Sequence, residues 1–343
     1  MKKLYHYIPM VVLSFFAIIF IVAAEVFSYT KNTLLDADIY KTAMDQKSVS
    51  VSMYNELIVY FKSLSNATGI PPEVYTEKID KDKLYESSYI LLRDCLSYLA
   101  DPDAPKPKIN YDSKPIEDNI RNYIEKDADE RGLKKNSEFK KLVDNTVKIA
   151  REQITSRLDT MMLYTLSKTG AAEAVHKYSH LLGIGSWICI GLAAVMFALM
   201  IFINRHHPRD LPYWLGVLIL VPACVFLVPA VILEKTDYFS SFFIRNEYIH
   251  DTVTGMFGLA LDGIIKTQII LAIIGVVFII SAQVIHTVYV RHLKKQHRKH
   301  HWREDVKTAS ETSERINSKE QDNSSEQDGS NEASFPAEPE AEE

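Results

Sequence analysis

Cysteine is nearly absent: Cys95, Cys189 and Cys224 are the three in the chain. Cys189 and Cys224 fall inside long apolar runs, so the charged regions hold one thiol and no bridge can close within them. A disulfide-stapled secreted scaffold is excluded, and the three read as small apolar fillers. Glycine is scarce as well, at 12 residues. No phosphate-cradling glycine loop, dinucleotide fingerprint, nucleophile elbow or paired zinc-ligand motif occurs. The net charge of −5 leaves no basic excess to hold nucleic acid. These absences remove the common soluble enzymes and the nucleic-acid binders, and no cofactor is expected.

What four segments lack is charge. The mean hydropathy of −0.07 resembles that of a soluble protein, but the average conceals segregation. Ile8 to Val26, Gly183 to Ile203, Pro212 to Leu233 and Thr267 to Val290 are almost free of ionised side chains. Each has about the 20 residues needed to cross the hydrocarbon layer at 1.5 Å per residue. Trp187, Trp214, Tyr213 and Tyr289 lie near their ends, where amphipathic rings favour the interface. Val22-Ala23-Ala24 before Glu25 would pass as a signal-peptidase site. The apolar run is longer than a usual signal core, so residues 1–27 are read as an uncleaved anchor.

The basic flanks give a direction. Lys2 and Lys3 precede span one, Arg205 and Arg209 separate spans two and three, and Arg291, Lys294, Lys295, Arg298, Lys299 and Arg303 follow span four. All three flanks share one side if both termini are cytoplasmic, which satisfies the positive-inside rule. Residues 28–182 then stand outside, as does 234–266 within the three-span region 183–290. The basic run 291–303 is expected to sit on anionic lipid headgroups. His297 and His301 are an i, i+4 pair there, for which a polar juxtamembrane role outweighs metal binding. Residues 304–343 carry 13 acidic and 3 basic side chains amid Ser, Asn, Gln and Pro, a composition expected to be disordered.

Between Phe27 and Leu182, 23 basic residues balance 24 acidic ones, and the apolar spacing is helical with no sustained alternation. A helix is predicted from about Asp36 and another from Ser48 to Asn66, with Tyr54, Leu57, Ile58, Phe61 and Leu64 on one face. Gly69 stops it and Pro71-Pro72 opens a short turn through Ile79. Asp80 caps a helix striped by Leu84, Leu91, Leu92, Cys95, Leu96 and Leu99. The proline-rich DPDAPKPK is an extended connector, and Ser113 caps a helix to about Glu130. A last helix is expected from Ser137 to Ser167, its partner-seeking positions Leu142, Ile149, Ile154, Leu158, Met161 and Leu166. The fold class is therefore all-α: four transmembrane helices, an extracytoplasmic bundle of four or five helices, and a disordered cytoplasmic tail.

The segments NTLLDADIYKTAMDQ, GIPPEVY and IDKDKLYESSYILLRDCLSYL, spanning roughly Asn32 to Leu99, resemble the outer domain of uncharacterised four-pass membrane proteins of Gram-positive bacteria. That family also places one helical insertion between span one and three clustered spans. The resemblance implies a shared architecture and transfers no activity to named residues.

Few residues hint at chemistry. Asp101, Asp103 and Asp112 in the connector are too few for calcium and read as solvated. Asp262 and Lys266 lie one turn apart in GMFGLALDGIIKTQ. They form either the polar edge of an interfacial helix or a buried pair in a polar cavity, and the interfacial reading is preferred. Pro222 and Pro229, seven apart in span three, fall on nearly one face and either kink the helix or line a path. Gly185, Cys189 and Ala193 make a ridge for close packing, while Glu25, Glu234 and His286 sit at span ends, where side chains snorkel to water. The resulting expectation is a non-enzymatic, multi-pass protein of the cell membrane. Its outer domain would bind a ligand, a partner protein or a wall component. The alternative is an oligomeric transporter or channel component built on the kinked third span.

Overall fold

A computed structural model describes the backbone of residues 2–205 and 208–323 and the side chains of residues 7–205 and 209–291. Every regular element among the described residues is helical. Two compact units divide the chain, Met1–Ser281 and Ala282–Glu343. The described part of the second is the C-terminal stretch of one helix.

Among the described residues, four helices are long and apolar enough to cross a membrane. They are α1 (Lys2–Tyr29), α10 (His180–Ile203), α11 (Leu211–Lys235) and α12 (Glu247–Asn323). A π-helical turn, Thr30–Leu34, carries α1 into the bundle. The bundle comprises α2 (Ala37–Gln46), α3 (Val49–Thr68), α4 (Pro72–Thr76), α5 (Lys81–Ala100), α6 (Lys114–Glu130), α7 (Ser137–Leu158), α8 (Leu163–Ser167) and α9 (Gly170–Tyr178).

Local chemistry fixes most of these ends. The Asp36 carboxylate accepts from the Asp38 amide, and Asp80 accepts from those of Asp82 and Lys83. Each thereby satisfies donors that an isolated helix start leaves unpaired. Asn136 does the same for α7 through the Phe139 amide at 2.9 Å. Gly69, with φ of +71°, closes α3 in the left-handed conformation that costs glycine least.

The bundle core is built from large side chains. Met53, Leu57 and Phe61 of α3 meet Leu84, Leu91, Leu92, Cys95 and Leu96 of α5, Ile116 and Ile120 of α6, and Val147 and Ile154 of α7. The α5 stripe read from the sequence is buried throughout. Phe61 stacks on Tyr75 of α4 at 5.0 Å between ring centroids, and Asn119 of α6 donates to the Val74 carbonyl at 2.8 Å.

Two sequence expectations are corrected here. The helix starting at Ser137 ends at Leu158 and does not reach Ser167. Asp159 breaks it by capturing the amides of Tyr164 and Thr165, both at 2.9 Å, together with the Thr165 hydroxyl at 2.7 Å. Ser88 of α5 meanwhile donates to the freed Leu158 carbonyl at 3.0 Å. The buried face of α7 is Val143, Val147, Ala150, Ile154 and Leu158, whereas Leu142, Ile149 and Leu166 are exposed. The 3.6-residue period of a single straight face selects the first set; the looser heptad-like set drifts off it.

The second correction concerns residues 234–266. No separate interfacial helix precedes span four, because α12 starts at Glu247 and runs unbroken into it. The candidate span Glu247–Arg291 has 45 residues, more than twice the roughly 20 a bilayer needs. The surplus lies in the bundle: Tyr248, Met256 and Ala260 belong to its core. A Cβ on Gly255 would come within 3.1 Å of the Ala43 Cβ on α2. The hydropathy of GMFGLAL resembles that of a membrane helix because one face of this stretch, Met256 and Ala260, is buried in protein.

The spans pack on small residues. Ala17 and Ala24 of α1 and Ala193 of α10 are buried, Ser186 donates to the Ala24 carbonyl at 3.4 Å, and the Phe27 ring lies 3.3 Å from where a Gly185 Cβ would stand. The ridge on span two thus has α1 as its partner. Helices α11 and α12 cross at Gly216 and Gly275. A Cβ on Gly216 would stand 2.7 Å from Ile279 Cγ1 and 2.8 Å from the Gly275 carbonyl oxygen, so only glycine permits this approach. The α12 backbone is helical to Asn323. Residues 324–343 of the acidic tail, and the side chains of the 291–303 basic run from His292 onward, including His297 and His301, lie outside the described residues.

Candidate functional site

The break between α7 and α8 opens a cleft of about 590 Å³, within the 300–1,000 Å³ usual for small-molecule sites. One wall is the last two turns of α7, Arg151 to Arg157. The second is Met162, Tyr164, Thr165 and Lys168 around α8, and the third is Asn246, Tyr248 and Ile249 at the start of α12. Ile109 of the proline-rich connector contributes from the side. The cleft therefore exists because Asp159 stops α7 and because α12 begins inside the bundle.

Arg157 is its polar anchor. Its guanidinium donates to Glu56 Oε2 of α3 at 3.0 Å and lies 5.7 Å from the centroid of the buried Tyr248 ring. The other oxygen of Glu56, Oε1, accepts from the Glu247 amide at 2.8 Å. One carboxylate thus holds both the arginine and the first turn of α12. Arg157 Nε is buried and has no acceptor, leaving one donor of its fork unused.

The remaining charges differ in commitment. Both oxygens of Asp159 serve α8, as described above. Glu152 pairs with Lys148 at 3.9 Å, and Arg151 reaches Glu117 at 3.8 Å. The Lys168 ammonium lies 4.0 Å from the centroid of the Tyr164 ring, and no carboxylate among the described residues stands within ion-pair distance of it.

A second polar cluster lies where α1 meets α12. The Gln268 amide nitrogen donates to Glu25 Oε2 at 2.9 Å and to the Tyr29 hydroxyl at 2.8 Å. Gln268 is fully buried, and its carbonyl oxygen has no partner. Glu25 is thereby engaged by protein, where the sequence suggested only a side chain reaching for water.

The residues singled out from the sequence are dispersed. Lys266 Nζ and Asp262 Oδ2 are 2.5 Å apart on α12, with side chains 71% and 51% exposed. Pro222 is buried and Pro229 is exposed, and α11 stays helical through both. Asp101, Asp103 and Asp112 remain in the irregular connector, Asp101 accepting from the Asp103 amide and Asp112 from that of Lys114. Cys95 is sealed in the bundle core, and burial, reinforced by the Asp159 and Asp94 charges, pushes its thiol up to about 12. It is an inert filler.

Sequence reasoning missed Arg157, Glu56 and Gln268. The first two look like any solvated charge on an amphipathic helix, and only the break at Asp159 converts that face into a wall. Gln268 carried a faint signal, an uncharged polar residue in an apolar run with Glu25 and Tyr29 at a matching depth in span one.

No protein-family model matches the chain, and no curated protein and no solved structure matches it either. The resemblance to four-pass proteins of Gram-positive bacteria rests on the segments between Asn32 and Leu99 and on the order of the spans.

Proposed function

We propose that this chain is a non-enzymatic, four-pass protein of the cell membrane, with both termini cytoplasmic and the bundle of residues 28–182 outside. The bundle would bind a ligand, a partner protein or a wall component. The four apolar helices support the membrane assignment, and the basic flanks support the orientation. The observation that carries the binding role is the cleft of about 590 Å³ between α7, α8 and the start of α12. It combines the buried Tyr248 and the half-buried Ile109, Tyr164 and Ile249 with a few convergent polar groups, the usual anatomy of a ligand site. Anionic lipids at residues 291–303 and a homo-oligomer are further partners of this reading; nucleic acid is not.

The test uses the full chain in mild detergent. Small-molecule fractions of a cell-envelope extract should raise its melting temperature, since a ligand that binds only the native state stabilises it. Thr155→Trp, which fills the cleft, should abolish that shift without lowering the melting temperature of the free protein. Fractions that shift both proteins equally, or none that shifts wild type, would contradict a cleft-bound ligand.

The alternative, an oligomeric transporter or channel component, draws on one observation. Glu25, Tyr29 and Gln268 form a polar cluster between two spans, and polar groups at such depth often mark a solute path. Co-purification separates the readings: a homo-oligomer without bound ligand favours the pore, a monomer with bound ligand favours the module.

A further inference from the structure

The geometry points to the chemical class of the cleft's ligand: a small molecule carrying a carboxylate or phosphate on an apolar or aromatic body. This inference rests on the reading of the cleft as a ligand site. Its basis is which charges are spent. Of the acidic lining residues, Asp159 is committed to the amides of Tyr164 and Thr165, while Glu152 keeps a loose, exposed pairing with Lys148 at 3.9 Å. Two cationic groups keep donors in hand. Arg157 commits Nη1 to Glu56, and Nη2 has no hydrogen-bond partner among the described residues. Lys168 rests on the Tyr164 ring at 4.0 Å with no carboxylate within ion-pair distance among the described residues.

An anion in the cleft would present one oxygen to the accessible edge of the Arg157 guanidinium and a second toward Lys168, forming charge-assisted hydrogen bonds. The apolar remainder is indicated by Ile109, Met162, Ile249 and the Tyr248 ring, which line the same space. A cationic ligand is disfavoured because Arg151, Arg157 and Lys168 outnumber Glu152 and Asp159 in the lining, and Asp159 is spent on α8.

The experiment places the full chain in nanodiscs of zwitterionic lipid and follows three probes by fluorine NMR: para-fluorobenzoate, para-fluorophenyl phosphate and the neutral para-fluorobenzamide. At least one of the two anions should bind about tenfold more tightly than the amide, the worth of one charge-assisted bond. Whichever anion binds better identifies the headgroup. Lys168→Gln should remove most of that preference; the side chain is exposed, so the fold is undisturbed. Arg157→Lys, which keeps the charge toward Glu56 but deletes the guanidinium's second terminal donor, should weaken the anions and leave the amide unchanged. Equal binding of amide and anions, abolished by Thr155→Trp, would overturn the anion assignment while sparing the ligand site. Anion binding indifferent to Lys168→Gln and Arg157→Lys would place the anion elsewhere and also overturn it. If no probe binds at millimolar concentration, the anion assignment fails. The ligand site itself falls only if envelope fractions leave wild type unshifted as well.

Discussion

The bundle and the four long apolar helices are both all-helical, yet the second group leaves far more of its large apolar side chains facing outward. Between α2 and α9 the large side chains turn inward: Met44, Met53, Leu57, Phe61, Tyr75 and Leu84 are fully buried. In the four long apolar helices small and large residues are buried together, Ala17, Ala193, Ala223 and Ala230 beside Met10, Met200, Trp214 and Leu218, while Phe15, Trp187, Phe202 and Val228 face out. Water drives the first arrangement, because each large apolar side chain withdrawn from it contributes about 1.5–3 kcal/mol. Lipid would offer no such gain to side chains that face it, so close backbone approach at Gly216 and Gly275 carries weight in the second. Helix α12 takes part in both, with Tyr248 and Met256 in the bundle core and Gly275 at the crossing with α11.

Substitutions that exchange the two rules should do the most damage. Leu92→Asp puts an unpaired charge into the bundle core and should cost about 4 kcal/mol, read as loss of the main thermal transition. An unchanged melting curve would mean that the α5 stripe is not a core. Gly216→Leu should cost about 3 kcal/mol, because the new side chain meets the Gly275 carbonyl and Ile279. Gly191→Leu, with open space around it, should change detergent stability little. A matched pair sharpens the contrast. Val59 on α3 and Val228 on α11 are 66% and 55% exposed. Val59→Lys should be nearly silent, whereas Val228→Lys should oppose membrane insertion by roughly 3 kcal/mol, measured as the membrane-inserted fraction.

The smallest effect is set by pH. Burial lifts Tyr40 from 10.0 to about 12 and Cys95 from 9.0 to about 12. Both groups are neutral when protonated, so the unfolded chain releases their protons first as the pH rises. Their contribution is complete below about pH 9 and is lost between pH 9 and 12. Chemical-denaturation midpoints should therefore fall over that window. Tyr40→Phe, which also deletes the hydroxyl's 2.8 Å bond to the Leu34 carbonyl, should flatten the tyrosine part of the decline.

Periodicity and punctuation made the helices around Asp36, Asp80, Ser113 and Gly69 legible, because a cap or a stop is local chemistry. The four spans were legible from length and missing charge. What escaped depended on contacts distant in sequence. Asp159 looked like one more polar residue within a helix, and its capture of two amides five and six positions ahead was not written in any period. The segment at 247–260 was apolar for a reason that hydropathy cannot distinguish, burial in protein or in lipid. The cleft follows from both of these events, which is why Arg157 and Lys168 carried no signal of their own.

The most direct test of the account is which side of the membrane the bundle occupies. On a background of Cys95→Ala, Cys189→Ala and Cys224→Ala, single cysteines at Asp103 and at Ser330 are labelled in intact cells with an impermeant maleimide. The account predicts labelling at Asp103 and none at Ser330 until the cells are opened. Label reaching Ser330 from outside, with Asp103 protected, would invert the topology and put the cleft in the cytoplasm.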